Sequence, residues 1–449
     1  MEVILKQINV AIVGYGVVGN GVAKILEEKK EIIKKKAGIE INLKKVFTRN
    51  WNKEFTFPLK ENQKANSLEE ILEDKDIHII TELVGGIEFP LKLFEDAINK
   101  NKHVVTANKA LLAEAGKEIF LKAEEKGIRI GFEAAVAGGI PIIRALREGL
   151  VANDIKNIYG ILNGTTNFIL TSMYKEGKNF EDVLKEAQEL GYAEADPTLD
   201  INGTDAAHKI AILASLSYGG FLDFSQVYVE GIENIKSIDI ELGKELGYIL
   251  KLIAISKTHN NGEIEVRVHP TFIPETNPLA SVDGVFNAVM VEGDSVGETM
   301  FYGKGAGMMP TASAVVSDIV DIGKSISVGV GREIEITSMN WQHKDLNLVK
   351  VKDFYTRYYL RFTVPDVTGV LANVAHVFAQ YNISIAAVIQ KEKVVDKFGI
   401  DYENHKVVPL VILTHTASEN NIQKAIKEIE EKNITVEKTV IIRVEDEEK

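Results

Sequence analysis

Residues 8–30 read INVAIVGYGVVGNGVAKILEEKK, and this stretch decides the fold of the first part of the chain. The apolar run at 8–13, closed by a glycine, has the length and composition of a buried strand. The hexapeptide Gly14-Tyr15-Gly16-Val17-Val18-Gly19 then precedes a helical pattern, which is GxGxxG in strand-turn-helix context. The first glycine allows the tight turn and the second lets backbone approach a pyrophosphate. The third lets the helix pack on the strand while its first amides face the anion. A turn that is merely glycine-rich does not explain this spacing, so these six residues are expected to hold a dinucleotide.

A second strand is expected at 41–48. Arg49 and Asn50 follow it, where an NAD-selective site carries an acid for the ribose 2′-hydroxyl. An arginine there suits a 2′-phosphate, so NADP is expected ahead of NAD. Strands at 77–81, 103–106 and 128–132 alternate with helices at 90–100 and 111–126, the pattern of a Rossmann-type doubly wound parallel sheet, fold class α/β. Ligands of such sheets bind at strand C-terminal ends, here the loops ELVGG (82–86) and TANK (106–109). Lys109 stands where a nicotinamide and a substrate would meet. Residues 133–141, EAAVAGGIP, place small residues and a helix-starting proline beside one carboxylate. Outward carbonyls next to that acid suit a hard cation, and a plain tight turn fits the same residues.

Beyond residue 150 the alternation stops. Residues 191–209 read GYAEADPTLDINGTDAAHK, a turn-rich acidic loop running into a helix expected at 204–218. Asp205 and Lys209, four apart, then share one helix face, which Ile210, Leu213, Ala214 and Leu216 support from the apolar side. Such charges are also ordinary dressing of a first helical turn. Extended segments at 249–258, 264–273 and 285–293 predict a mixed or antiparallel sheet in an α+β substrate and dimerisation domain. GKGAG (303–307) opens a helix to about 324 that is expected to return to the first domain. A connector precedes strands and helices at 358–364, 369–381, 383–394, 406–414, 420–431 and 436–444, a βαββαβ ferredoxin-like unit.

The 449 residues, 45% hydrophobic and 26% charged, suffice for several domains. A net charge of −13 without basic blocks argues against nucleic-acid or anionic-membrane partners. With no apolar run of spanning length and no signal-like start, the protein is expected in the cytoplasm. Zero cysteines remove disulfides, thiolate catalysis and cysteine-ligated metal, leaving Lys, Asp, Glu, His, hydroxyls or a cofactor to do any chemistry.

The motifs GYGVVG, TANKALLA, FEAAVAGGIP, ILNGTTNFIL, GYAEADPTLDINGTDAAHK and GKGAGMMPTASAVVSDI, in this order, resemble homoserine dehydrogenases over residues 1 to about 325. The resemblance implies NAD(P)-linked interconversion of L-homoserine and L-aspartate 4-semialdehyde, on the route to threonine, methionine and isoleucine. It implies that Lys209 donates a proton to the aldehyde oxygen with Asp205 as its partner, and that Lys109 lies between cofactor and substrate. Glu194 holds the substrate amino group beside Tyr192, with Asp200 and Thr166 in the same substrate set. Glu133 with the carbonyls of Val136, Gly138 and Ile140 matches a sodium or potassium site, and Gly305 a cofactor contact. A homodimer or homotetramer is expected.

PDVTGVLANVAHVFAQYNISI (365–385) resembles the ACT domain, which implies an amino-acid effector, expected to be the pathway end product L-threonine. The matching positions are Asp366, Gly369, Val370 and Leu371, with Asn382 and Ile383 across a pair of copies. The expected domains are 1–150, completed by 305–325; 151–304; a connector at 326–352; and 353–449. The last is expected to be a separable module, so a chain cut near residue 325 keeps the reaction. Independently of the resemblance, hydride transfer to an aldehyde builds negative charge on oxygen, which a lysine ammonium both stabilises and protonates. The alternatives are a nucleotide- and amino-acid-binding sensor without turnover, or another amino-acid dehydrogenase. The set Lys109, Glu194, Asp205 and Lys209 favours the enzyme read above.

Overall fold

The computed structural model describes residues 6–328, 344–390, 401–402 and 405–446. The chain forms two compact units, one bounded by Met1–Leu162, Asp205–Val227 and Phe286–Leu346, the other by Asn163–Thr204, Tyr228–Val285 and Asn347–Lys449.

In the first unit, β1 (Gln7–Val13), β2 (Glu40–Phe47), β3 (Ile77–Glu82), β4 (His103–Thr106) and β5 (Ile130–Gly131) make a parallel sheet in the order β2-β1-β3-β4-β5. The strand order reverses beside β1, which puts the ligand-binding switch point at the C-terminal ends of β1 and β3. The helices between strands are α1 (Val17–Glu28), α2 (Lys30–Ala37), α3 (Glu69–Leu72), α4 (Glu88–Asn99) and α5 (Lys109–Glu125). Ile8, Val10 and Ile12 share a core with Ala312, Val315, Ile319 and Ile322, one stripe of the Met308–Ser327 helix. That helix does return to the sheet.

Three boundaries differ from expectation for local reasons. α1 starts at Val17, ahead of the helical run at 21–30 that the sequence predicts, and α5 starts at Lys109 because Asn108 caps it. The strand expected at 128–132 shortens to Ile130–Gly131, since Glu133–Ala135 is a 3-10 turn and a Cβ at Gly131 would lie 2.6 Å from that of Asp318. The unit also carries antiparallel strands Ile155–Ile161, Phe286–Gly293 and Gly297–Lys304. The third was absent from the sequence reading.

In the second unit, Tyr248–Thr258 pairs antiparallel with Ile264–Pro274. Val440–Val444 then runs parallel to the latter, followed in space by Tyr355–Pro365, His405–Thr414 and Ile385–Gln390. Taken by themselves, the last four strands have the antiparallel 4-1-3-2 order of a ferredoxin-like sheet, with helices Val370–Gln380 and Glu419–Glu431 between them. Residues 391–394 of one expected strand and 329–343 of the expected connector lie outside the described residues.

The ferredoxin-like part is joined to the rest of the second unit. Arg443 and Val444 pair with Thr271 and Phe272, so the module's sheet continues into the Ile264–Pro274 strand. Three arginines, each 1% exposed, bind acids on both sides of that seam: Arg361 with Asp239, Arg267 with Glu445, and Arg443 with Glu230. Pulling such pairs apart strands buried charge, so the two parts form one unit. Residues 151–304, expected as one domain, are shared between the two units.

Candidate active site

The glycine turn comes first. Gly14 has φ +102°, and a Cβ there would sit 2.6 Å from the Leu83 carbonyl carbon, so only glycine fits where β1 and β3 end. A Cβ on Gly19 would meet the Gly14 carbonyl oxygen at 2.3 Å, whereas for Gly16 no heavy atom among the described residues lies within 4 Å. The space over Gly16 is therefore open. α1 has no side-chain cap and no acid in its first turn, so its leading amides face that space ready for an anion. A dinucleotide pyrophosphate fits this cradle. Val17 is exposed and Val18 half-buried beside it, while Tyr15 is buried with its hydroxyl donated to the Phe57 carbonyl at 2.8 Å. Burial pushes that phenol up to about 12, so Tyr15 supports the turn as a neutral group. Past β2, the Arg49 guanidinium lies 4.5 Å from the Phe89 ring centre, beside a cavity of about 410 Å³ that also takes in Ser67 and Lys92.

Two loops on the same edge are set by Glu82, which is fully buried. One of its oxygens accepts the amides of Val84 (2.8 Å) and Gly85 (3.1 Å), and the other accepts the Thr106 hydroxyl (2.7 Å). Thr106 in turn accepts the Asn108 amide at 2.9 Å, while the Asn108 side chain donates to the Gly86 carbonyl and caps α5 through the Leu111 amide. The result is that Lys109, the first residue of α5, is held by its backbone. Its Nζ lies 3.0 Å from Asp205 Oδ1.

The Thr204–Tyr218 helix forms as expected and carries Asp205 and Lys209 on one face. Lys209 Nζ donates to Asp205 Oδ2 at 2.7 Å and to the Leu162 carbonyl at 2.6 Å. Asp205 and Lys209 are buried, whereas the Lys109 side chain is 39% exposed. One carboxylate thus bridges a buried ammonium and an accessible one. His208, next to Lys209, is buried with its ring 4.5 Å from that of Phe224. Burial lowers its pKa against the pull of Glu114, keeping it neutral.

The second unit gathers the polar groups of the acidic loop. Asn163 caps the Gly164–Glu176 helix through the Thr166 amide (2.8 Å), and its Nδ2 donates to Asp200 Oδ1 (2.7 Å). Thr165 Oγ1 lies 3.1 Å from Asp200 Oδ2 and 2.8 Å from the Tyr192 carbonyl oxygen. Tyr192 is 45% exposed, with its ring edge-on to Phe168, and Glu194 is exposed two residues on. Asp200 and the Tyr192 carbonyl thus meet at Thr165, Glu194 stays in the exposed loop two residues past Tyr192, and Thr166 is buried with its hydroxyl spent on Asn163. Asn163, Thr165, Glu82 and Asn108 were missed as organising residues. The spacing of Asn163 to Thr166 is a helix-cap pattern that would have found the first.

Comparison with known proteins gives the family. Residues 14–133 match the homoserine dehydrogenase NAD-binding domain model, residues 141–320 the homoserine dehydrogenase model, and residues 358–433 the ACT domain model. The chain is 44% identical to the homoserine dehydrogenase of Neisseria gonorrhoeae over 98% of its own length and 99% of the relative's. The chain belongs to the homoserine dehydrogenase family. Its fold matches the crystal structure of a homoserine dehydrogenase from Thiobacillus denitrificans with a TM-score of 0.90 at 43% identity, over 98% of this chain and 99% of that one. A hyperthermophilic archaeal homoserine dehydrogenase mutant solved with NADPH aligns with a TM-score of 0.60 at 31% identity, over 70% of this chain and 97% of that one.

Like its family, this chain is an oxidoreductase with a nucleotide-binding domain. A Cβ on Gly305 would lie within 2.3 Å of the Asn287 amide, and one on Gly138 would lie 2.7 Å from the Gly305 carbonyl oxygen, so these backbones touch. Glu133 is buried, and its two oxygens accept the Ile143 and Arg144 amides at 2.9 Å each. The Glu133 amide donates to Asp318, also buried, and burial raises both acids, Asp318 to about 7. Among the described residues no group of three or more His, Asp or Glu gathers for a multivalent metal.

In the ferredoxin-like part, Asp366, Gly369 and Leu371 are exposed at the start of the Val370–Gln380 helix, where Gly369 has φ +89°. Asn382 and Ile383 follow the far end of that helix, roughly 16 Å away along its axis. One copy of the chain therefore does not bring the two groups together.

Proposed function

We propose that this enzyme reduces L-aspartate 4-semialdehyde to L-homoserine, with NADPH preferred over NADH, through Lys209 as the acid. The observation that carries the reading is the Asp205 carboxylate shared by Lys209 and Lys109. The bound nicotinamide supplies the hydride that adds to the aldehyde carbon. As charge grows on the aldehyde oxygen, the Lys209 ammonium stabilises it and passes over one proton, leaving an alcohol and a neutral amine. Asp205 and the Leu162 carbonyl hold that ammonium in one orientation. Lys109, accessible on the same carboxylate, is placed to return a proton from solvent.

Glu194 and Tyr192 take the substrate's ammonium, with Asp200 and Thr166 completing the substrate set. Arg49 takes the 2′-phosphate, with the Gly16 opening and Gly305 on the rest of the dinucleotide. Glu133 with the carbonyls of Val136, Gly138 and Ile140 would hold sodium or potassium. The protein works in the cytoplasm as a homodimer or homotetramer. Its ACT positions Asp366, Gly369, Val370 and Leu371, with a partner copy's Asn382 and Ile383, bind L-threonine as feedback inhibitor. The distance between these two groups within one chain supports that pairing.

The test is NADPH absorbance after mixing purified protein with aspartate semialdehyde, repeated with NADH and with added threonine. No decline over hours would leave a non-catalytic sensor. An unchanged rate with threonine would limit the ACT part to assembly.

A further inference from the structure

Arg443 is the most heavily engaged side chain outside the site just described. Its guanidinium is 1% exposed and donates to both oxygens of Glu419 (2.7 and 3.2 Å), to the Tyr228 hydroxyl (2.8 Å) and to Glu230 Oε2 (2.6 Å). Tyr228 also donates to Glu230 Oε2 at 2.8 Å, so two donors converge on one carboxylate oxygen. From Glu230 the contacts run towards the acidic loop. The Glu230 amide donates to the Val268 carbonyl, and the Ile232 amide to the Ile201 carbonyl, both at 2.8 Å. Between them, a Cβ on Gly231 would fall 2.2 Å from the Ile201 carbonyl oxygen and 2.5 Å from the Asn202 Cα. Gly203, at φ +85°, lies against Val229 and the Glu230 carbonyl from the other side. Residues 229–232 are thus the floor on which 201–203 rests, backbone against backbone at Gly231 and with the Val229 and Val268 side chains beside Gly203. Asp200, one residue upstream, is fastened to Asn163 and Thr165, and the chain passes from Gly203 through Thr204 into Asp205.

We propose that Glu230, clamped by Arg443 of the last strand, is a positioning residue for the dehydrogenase reaction. It sets the 200–204 segment and through it the substrate groups of the acidic loop. The proposal rests on the reading of that loop as the substrate site. It gives the C-terminal strand a part in turnover whether or not an effector binds.

Steady-state kinetics of homoserine oxidation on the full-length enzyme test it, with NADPH affinity read separately by fluorescence titration. Glu230→Ala is expected to raise the homoserine KM or lower kcat by about 3- to 30-fold, the range of such indirect couplings, with NADPH affinity unchanged. Glu230→Gln, which keeps an acceptor for both donors, should recover most of the loss. Tyr228→Phe, which leaves the Arg443–Glu230 bond, should shift the same parameters less. Substrate parameters of Glu230→Ala equal to wild type would overturn the proposal. So would a parallel fall in NADPH affinity, thermal stability and turnover in both Glu230→Ala and Tyr228→Phe, which would reduce Glu230 to support of the fold. Wild-type enzyme that does not oxidise homoserine would instead overturn the functional reading, and would do so before any variant is compared.

Discussion

The Lys209 ammonium and the Asp205 carboxylate lie 2.7 Å apart across one turn of the Thr204–Tyr218 helix, and the other carboxylate oxygen reaches Lys109. Removing the acid should therefore differ from removing its holder. Lys209→Ala should lower turnover by about 10²-fold or more, the usual scale for a positioned proton donor, with NADPH binding kept. Asp205→Asn should also lower kcat, because the amide cannot draw in both ammonium groups. Near-wild-type kcat in Lys209→Ala would make the pair structural.

Arg49, stacked on Phe89, is the group proposed for the ribose 2′-phosphate. Arg49→Ala should raise the KM for NADP(H) while leaving that for NAD(H) within a small factor, since only the former carries that phosphate. Equal losses for both cofactors would assign Arg49 to the loop's own packing.

Gly14 and Gly16 should separate fold from binding. Gly14→Ala meets Leu83 backbone at a positive φ and is expected to lower both Tm and dinucleotide affinity. Gly16→Ala adds a methyl to open space, so Tm should stay near wild type while affinity falls. A Gly16→Ala enzyme with unchanged NADPH affinity would place the pyrophosphate elsewhere.

These residues were legible because their logic is local. Three glycines between a strand and a helix, or an acid and a base four apart on a helix, declare their geometry within a few positions. The Gly297–Lys304 strand was not legible. Its alternation is exposed on one face and its glycine-rich end reads as a loop, and only pairing with Phe286–Gly293 makes it a strand. The arginine network was hidden for a different reason. Arg443 and Glu230 are 213 residues apart, and Arg361 and Asp239 are 122 apart, so neither partner marks the other in sequence. Those long-range pairs tie the ferredoxin-like part to the Ile264–Pro274 strand and to Asp239.

The network should also appear in acid. Burial by itself would raise the Glu445 carboxyl, but the charges of Arg267 and Lys257 outweigh it and hold it at about 2. A folded pKa below the unfolded value of about 4.5 means stability that is present above pH 4.5 and lost as pH falls towards 2. Glu445→Gln should therefore reduce Tm at neutral pH, and the gap to wild type should narrow through that window. A gap independent of pH would mean that packing, not charge, is what the substitution removes.

The same residues bear on what truncation should do. A chain ending at Ser325 lacks Arg361 and Tyr359, which bond to the fully buried Asp239, and it lacks Glu445 and Arg443, which hold Arg267 and Glu230. Truncation thus takes the Arg361 and Tyr359 bonds from Asp239 and uncovers the edge of the Ile264–Pro274 strand, while Arg267 keeps Glu265 and Glu230 keeps Tyr228. The truncated chain is expected to lose the cooperative melting and the homoserine turnover of the intact one, instead of losing only its response to an effector. Asp239→Asn in the short chain should recover soluble protein, because the amide leaves no unpaired charge where Arg361 and Tyr359 were bound. A chain ending at Ser325 with wild-type Tm and kcat would show that the arginine pairs hold the C-terminal part in place without being needed beneath it.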